Sequence, residues 1–331
     1  MELGGGTEEL SFFRKGLSGN ESLPWKFEFI DLYNNYWNWG QLSNNPCVPT
    51  IFINRENENL KEKFFLKYSE KVDWYNVAKR DDIDWSLDFI SLYDKHYKLE
   101  YISSNTSIPW SLKLIDNFID KWDWKDLSKN ESIPWSIEFI DKHKDKWDWD
   151  YLSKNKSIPF SISLLKYFEQ YWNWDTLSSS TDINWSINII NIFKDFFIWD
   201  RLSENESLPW SFPLIKKFIK NWSLYYLGCN RKIDWNIQLI EYLQKNGDTG
   251  IREDFIRGSR LMSKELIPSL SSNSNMFWNI DLLVKFEKEI SWYGLSSNES
   301  LLWSEDLIDK HIIKWDWSKL SANESRTSYL L

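Results

Sequence analysis

Residues 134–158 read PWSIEFIDKHKDKWDWDYLSKNKSI, and this stretch decides the fold. The preceding residues, 109–133, read PWSLKLIDNFIDKWDWKDLSKNESI, and the following ones, 159–183, read PFSISLLKYFEQYWNWDTLSSSTDI. Three consecutive segments of 25 residues share one pattern. Self-similarity at a fixed period of this length is typical of a repeat protein, so positions are numbered 1 to 25 from Pro134.

The pattern within one repeat predicts a helical hairpin. Ser136, at position 3, has the residue type and place of a helix N-cap. The apolar residues that follow lie at i, i+1, i+4 and i+8, which predicts a helix A of about three turns: Phe139, Ile140, His143 and Trp147.

A second, shorter helix B follows in the same repeat. Asp148, at position 15, is its predicted N-cap, and Leu152 lies on its apolar side. Asn155, at position 22, is predicted to end helix B in a left-handed conformation, which asparagine tolerates better than most residues. The next proline then starts a new repeat.

The fold predicted from this unit is all-α: an α-solenoid of about eleven 25-residue helical hairpins, each with a long helix A and a short helix B. We expect an N-terminal tail and half-repeat cap over 1–23, a single array over 24–325 and a C-terminal tail over 326–331. Two repeats are too long, which indicates insertions near 51–62 and 247–269.

The tryptophans follow the repeat. All 23 lie at three positions, nine at position 2, six at position 14 and eight at position 16. A site that stacks sugars or bases would place tryptophan where the ligand lies rather than in almost every repeat. The regular placement therefore predicts that these rings form the core between repeats.

Composition limits the classes of partner. The formal net charge of −9 argues against nucleic acid or an anionic membrane as the main partner. Cys47 and Cys229 are far apart in the sequence, so neither a zinc site nor a disulfide framework is indicated. The chain has neither a signal-peptide pattern at its start nor a run of 18 apolar residues, and we expect a soluble, cytoplasmic protein.

Catalytic patterns are sparse. His143 and His311 occupy position 10, where other repeats have tyrosine or phenylalanine, so both are interpreted as ring-shaped core residues, while His96 is assigned to a solvated surface. Asparagine recurs at position 22, which favours a turn residue or an asparagine ladder over a ligand site. No nucleophile elbow, metal motif or phosphate loop occurs, so we expect no enzyme activity, no cofactor and no metal.

Two signatures carry a resemblance: WDWxxLSxN, as in Trp147–Asn155, and PWSxEFI, as in Pro134–Ile140. They resemble tryptophan-rich tandem-repeat proteins of bacteria and large DNA viruses. The resemblance covers nearly the whole chain, supports the repeat and implies no activity.

The departures from the repeat are the predicted functional places. Arg252, Arg257 and Arg260 lie within nine residues of the 247–269 insertion, and arginine binds carboxylates and phosphates through two parallel hydrogen bonds. The 51–62 insertion is rich in Glu, Asn and Lys and is interpreted mainly as a solvated extension. The outward positions 8, 9, 12 and 13 vary between repeats. This variation is expected of a recognition surface, and it is also expected of a surface that is selected only for solubility.

These observations predict a non-enzymatic scaffold that binds another protein through its extended surface and the 247–269 insertion. Two alternatives stay open: a sensor or regulator that binds an anionic small ligand through the three arginines, and a carbohydrate-binding module that uses exposed tryptophan faces. Self-association is also left open.

Overall fold

The fold is helical throughout the part of the chain that the computed structural model describes, residues 16–50, 64–65, 67–247, 266–301 and 303–323. These ranges contain twenty-one α-helices, one 3₁₀ helix and no strand. The helices recur at the predicted spacing and carry the predicted tryptophans, so the all-α repeat fold is confirmed. The chain divides into two compact units, unit 1 (Met1–Pro159) and unit 2 (Phe160–Leu331). One continuous array over 24–325 stays a prediction.

Helix A opens each repeat. In unit 1 it spans Phe27–Leu32, Leu87–His96, Leu112–Asn117 and Ile137–Lys142. In unit 2 it spans Ile162–Tyr167, Ile187–Ile192, Phe212–Lys217, Ile237–Asn246, Ile280–Lys285 and Glu305–Lys310.

Helix B closes each repeat. In unit 1 it spans Trp39–Asn44, Trp74–Val77, Trp124–Lys129 and Trp149–Leu152, with a 3₁₀ helix at Leu99–Ile102 and one further short helix at Cys47–Thr50. In unit 2 it spans Trp174–Ser178, Trp199–Glu204, Leu224–Cys229, Leu266–Ser271, Trp292–Ser296 and Trp317–Ala322.

In most repeats the three turns predicted for helix A consist of a six-residue α-helix and a tighter turn, whereas Leu87–His96 and Ile237–Asn246 have ten residues. Helix Ile137–Lys142 is followed by residues 143–146, where Lys146 N–H donates to the His143 carbonyl at 2.9 Å. The indole Nε1 of Trp147 donates to the Ile140 carbonyl at 3.0 Å. That carbonyl is the acceptor that the next turn of an α-helix would use. The tryptophan therefore takes an acceptor from the helix and favours its end there.

Both predicted N-caps are confirmed. Ser136 Oγ accepts from Phe139 N–H at 3.1 Å, and Asp148 Oδ1 accepts from Tyr151 N–H at 3.2 Å. Equivalent bonds start most of the other helices at positions 3 and 15, for example at Ser86, Ser111, Ser161, Ser304, Asn38, Asp123, Asn173 and Asp316. Each cap satisfies a backbone donor that a helix start leaves without an intrahelical partner.

The asparagines of position 22 form a ladder that crosses from repeat to repeat. Asn155 Nδ2 donates to the carbonyls of Ser128 and Asn130 in the preceding repeat, at 2.9 and 3.2 Å. Its Oδ1 accepts from Ser157 N–H at 3.0 Å. The other ladder asparagines bind the two equivalent carbonyls, at positions 20 and 22 of their own preceding repeat. Examples are Asn45, Asn130, Asn205, Asn230, Asn298 and Asn323.

The left-handed conformation predicted for Asn155 is not found at the equivalent asparagines that cap helix B, Asn45, Asn130, Asn205, Asn230 and Asn323. Their φ angles lie between −81° at Asn323 and −68° at Asn205, with ψ near that of an extended chain. The side chain acts as a turn acceptor for the residue two places ahead and as a donor to the neighbouring repeat. Both bonds are made from extended backbone, so a positive φ is not needed.

Serine at position 20 adds a second buried contact between repeats. Ser128 Oγ donates to the Trp124 carbonyl at 2.6 Å and accepts from Asp148 N–H of the next repeat at 2.9 Å. Ser128 is fully buried. One hydroxyl therefore bonds to the first carbonyl of helix B in its own repeat and to the capping residue of the next.

One repeat makes the same ladder with other residues. Arg80 stands at position 22, and its Nη1 donates to the Ser43 and Asn45 carbonyls at 3.0 and 3.1 Å. Asp82 pairs with the buried guanidinium. Ala78 replaces the serine of position 20, and Tyr93 Oη donates instead to the Trp74 carbonyl at 3.1 Å. The backbone acceptors are kept while the side chains that serve them change.

The tryptophans form the core between repeats, as predicted. Fifteen of the 23 tryptophans are buried and seven are partly buried. Only Trp317 is exposed, with 46% of its surface in water. Each position has its own carbonyl acceptor for the indole N–H: Trp135 Nε1 donates to the Asn130 carbonyl, Trp147 to that of Ile140 and Trp149 to that of Lys144. At these three positions the ring can bury apolar surface while its N–H keeps a partner, although the buried Nε1 of Trp303 has no hydrogen bond to a described residue.

Candidate functional site

The predicted arginine site lies outside the described residues. Arg252, Arg257 and Arg260 all fall within 248–265, and the 51–62 insertion also falls outside the described ranges. A role for these arginines in binding a partner stays a prediction.

Two histidines are core residues, as interpreted from position 10. His143 is 7% exposed and its ring centroid lies 5.3 Å from that of Trp124 and 6.3 Å from that of Trp147. His311 is 4% exposed and lies 4.8 Å from Trp292 in the same arrangement. The imidazoles occupy the place that phenylalanine fills in other repeats.

Each core histidine also faces an acidic residue of the preceding repeat, which the sequence did not indicate. His143 Nε2 lies 3.0 Å from Asp116 Oδ1, although the angle is outside the range of a hydrogen bond. Burial lowers the pKa of His143, and the nearby Asp116 only partly opposes this shift. The hydrogen bond from Lys142 lowers the pKa of Asp116. The arrangement is thus a neutral imidazole beside an ion pair, with no nucleophile in it.

The interpretation of His96 as a solvated side chain is wrong. Its ring stacks on Trp74 with a centroid distance of 5.2 Å and an interplanar angle of 4°, and its side chain is 23% exposed. His96 stands at position 13, so this stacking shows that position 13 covers the position-16 tryptophan of the preceding repeat.

The described part of the chain contains no group of three or more His, Cys, Asp or Glu side chains arranged to hold a metal ion. A shallow pocket in unit 1 is lined by Trp85, Ile90, Pro109 and Ser111, and Lys113 is its one ionisable group. Such a lining provides neither an acid–base pair nor an activated nucleophile.

Within each unit, a row of ion pairs links the outer sides of successive A helices. Lysine at position 9 pairs with an acid at position 8 of the preceding repeat, as Lys142 does with Asp116. Lysine at position 13 pairs with an acid at position 11 or 12, as Lys146 does with Asp120 at 3.3 Å. Equivalent pairs are Lys67–Asp31, Lys121–Asp94, Lys285–Glu241 and Lys314–Glu287.

The residue at position 13 also covers the tryptophan at position 16 of the preceding repeat. Lys146 Nζ lies 5.5 Å from the Trp124 ring, and Lys314 Nζ lies 5.2 Å from the Trp292 ring. A cation over an aromatic face is a favourable contact. Where the following repeat supplies such a side chain, the tryptophan therefore does not offer an open face to a sugar.

The row is interrupted in unit 2, within residues 159–208. Positions 9 and 13 hold Tyr167 and Tyr171 in one repeat and Ile192 and Phe196 in the next. Their exposed fractions are 57%, 40%, 41% and 38%. We call these four side chains the apolar patch. The acid expected at position 8 is also missing, since Lys166 stands there.

Phe196 takes the place of the covering lysine. Its ring centroid lies 5.0 Å from that of Trp174, with an interplanar angle of 31°. One face of Phe196 is thus occupied by the core while the side chain keeps more than a third of its surface in water. Ile198, at position 15, adds another exposed apolar residue where other repeats have a capping Asp or Asn.

Lysines lie around the apolar patch. Residues 162–171, 187–196 and 212–221 together contain five lysines and two acids. The lysines are Lys166, Lys194, Lys216, Lys217 and Lys220. None of them forms an ion pair with another described residue, and all five are exposed. By contrast, the equivalent residues 112–121 and 137–146 in unit 1 hold equal numbers of lysines and acids.

Sequence reasoning identified positions 9 and 13 as outward and variable but missed the apolar patch. The available signal was the replacement of lysine by tyrosine, isoleucine and phenylalanine in two consecutive repeats. This replacement becomes informative only when one knows that position 9 pairs with position 8 of the preceding repeat, and the structure shows that pairing.

Comparison with known proteins adds no assignment: no protein-family model, curated protein or solved structure matches the chain. Among the described helices, none has both the length and the apolar character needed to cross a membrane.

Proposed function

We propose that the chain is a non-enzymatic scaffold that binds another protein through the outer side of its A helices and through the 247–269 insertion. One observation carries the proposal. The repeated polar groups form hydrogen bonds between repeats. The outer side of two consecutive repeats in unit 2, by contrast, leaves apolar side chains and lysines in water, and Leu32 and Tyr36 are exposed at the same positions of the first repeat.

The distribution of tryptophan supports a protein partner over a carbohydrate. A sugar platform needs an exposed ring face, and 22 of the 23 rings are buried or partly buried. Trp317 alone is 46% exposed. A wide surface of helices with varied outer residues is what helical-repeat proteins use to bind proteins.

The test is a pull-down from a lysate of the native cell with the intact chain, read by mass spectrometry. A second bait carries Arg252→Glu, Arg257→Glu and Arg260→Glu, and an unrelated helical-repeat protein of similar charge is the control. We expect a defined set of proteins on the intact chain and a reduced set on the arginine variant. Retention of no protein above the control would contradict the proposal.

A further inference from the structure

We propose that the apolar patch of Tyr167, Tyr171, Ile192 and Phe196 binds an acidic amphipathic helix of a partner protein. This inference rests on the proposed scaffold function and names the place and chemistry of one contact. It does not involve the 247–269 insertion.

The apolar patch replaces polar residues that form ion pairs at the equivalent positions of unit 1. Scattered exposed apolar residues are ordinary on protein surfaces, whereas adjacent ones indicate a contact surface. Repeats 109–133 and 134–158 show a fully polar arrangement at the equivalent place, with an acid at position 8 of the first repeat and lysines at positions 9 and 13 of the second. Lys166, Ile192 and Phe196 replace all three members of that arrangement.

The size of the patch suits a helix. Position 9 is the last residue of helix A in both repeats, and position 13 follows four residues later in the turn. Neighbouring helices lie about 8–10 Å apart. A partner helix laid across the two repeats would meet them with residues i and i+7, which are about 10 Å apart. An amphipathic helix that places its apolar side in such a surface is a recurring mode of protein recognition.

The charge near the apolar patch favours an acidic partner. Five exposed lysines without ion pairs to described residues surround the patch, in a chain whose formal net charge is −9. Unpaired lysines at the rim of an apolar surface favour acidic residues on the partner and raise its rate of association. The partner helix therefore carries Asp and Glu on the sides of its apolar face.

The patch suits a protein better than a nucleic acid. Phe196 has one ring face against Trp174, and Ile192 has no ring on which a base could stack. Single-stranded nucleic acids rely on stacking with aromatic faces along a basic groove. An aliphatic side chain of a helix, by contrast, can contact both residues.

The experiment pans a random-peptide display library on the immobilised full-length chain. The matched variant carries Lys166→Asp, Ile192→Lys and Phe196→Lys, which installs the residues found at the equivalent Asp116, Lys142 and Lys146. The variant is expected to fold, because unit 1 already uses this arrangement, and its thermal unfolding is measured beside that of the unchanged chain.

We expect the enriched peptides to be acidic, with Leu, Phe or Trp at helical spacing, and to bind the variant at least about tenfold more weakly. A transplant into unit 1 carries Asp116→Lys, Asn117→Tyr, Lys121→Tyr, Lys142→Ile and Lys146→Phe, the equivalents of Lys166 and the four patch residues. It is expected to raise the number of peptides bound per chain from one to two.

Several results would overturn the inference. Peptides that bind the variant equally well, or that are basic, would place recognition elsewhere on the scaffold and leave the proposed function standing. A lack of enrichment, while proteins are retained in the pull-down, would do the same. Single-stranded RNA or a second copy of the chain that binds the unchanged chain and is lost with the variant would assign the patch to that occupant instead. Failure of both the panning and the pull-down would remove the scaffold function itself.

Discussion

Replacing Asn155 with alanine is expected to lower the free energy of unfolding by about 3–5 kcal/mol. Asn155 Nδ2 supplies hydrogen bonds to the Ser128 and Asn130 carbonyls, and its Oδ1 accepts from Ser157 N–H. The Asn130 carbonyl keeps a donor, Trp135 Nε1. The Ser128 carbonyl loses the Asn155 donor, and its residue is fully buried. A buried acceptor left without a partner costs about 1–3 kcal/mol, and each further lost bond costs about 1.

Asn155→Asp separates hydrogen bonding from packing. The carboxyl has nearly the shape of the amide but faces the Ser128 and Asn130 carbonyls without donors when it is ionised. Burial at a 4% exposed position next to two carbonyl oxygens raises the pKa of the introduced group above its value in the unfolded chain. The unfolded state then loses its proton first, so the stability loss is small at low pH and grows as pH rises above about 4.

Urea unfolding, followed by circular dichroism and by tryptophan fluorescence on the same samples, measures both effects. Two probes are needed because a repeat array can unfold in parts. Asn117→Ala is the control, since Asn117 is exposed at the end of its helix, and its effect is expected within about 0.5 kcal/mol. If Asn155→Ala and Asn117→Ala have equal effects, the ladder does not stabilise the array and the reasoning is refuted.

Three further substitutions test other contacts. Burial lowers the pKa of His143, so the unfolded chain binds a proton at this residue before the folded chain does. The free energy of unfolding should therefore fall as pH drops from 6.5 through that lowered pKa. His143→Phe should flatten this dependence in thermal melts between about pH 5 and 7. Gly228→Ser restores the residue of position 20 yet should destabilise, because its Cβ would overlap Ser269 Oγ, and adding Ser269→Gly should recover part of the melting temperature. Ile198→Asp should raise stability by about 1 kcal/mol in urea unfolding by supplying the missing cap, and an unchanged midpoint would contradict this.

The local features of the repeat were predictable because they depend on neighbours in sequence. Ser136 and Asp148 cap helices through backbone N–H groups three residues ahead, and a residue pattern shows that distance directly. The burial of tryptophan followed from its recurrence at three positions. These predictions require only the spacing within one repeat and the need to bury large rings.

The contacts between repeats could not be assigned from the sequence. The sequence shows that asparagine recurs at the position of Asn155. It does not show whether the amide ends its own helix or binds a carbonyl 27 residues earlier, because both roles would make asparagine recur at the same position. Arg80 is the stronger example, because nothing in its residue type indicates that it substitutes for asparagine. Its long side chain reaches the same two carbonyls, and only the fold shows that these acceptors are held in place.

The separation of the inner and outer positions explains why the apolar patch can exist without loss of the fold. Ile192 and Phe196 replace lysines whose ion pairs are exposed, and exposed pairs contribute only about 0–1 kcal/mol each. The ladder asparagine of the second repeat of the apolar patch, Asn205, keeps its bond to the Ser178 carbonyl at 3.0 Å. Changes at positions 9 and 13 thus cost little stability, while each alters the charge and shape offered to a partner. Recognition in such a chain is therefore expected where the outer row departs from the repeat.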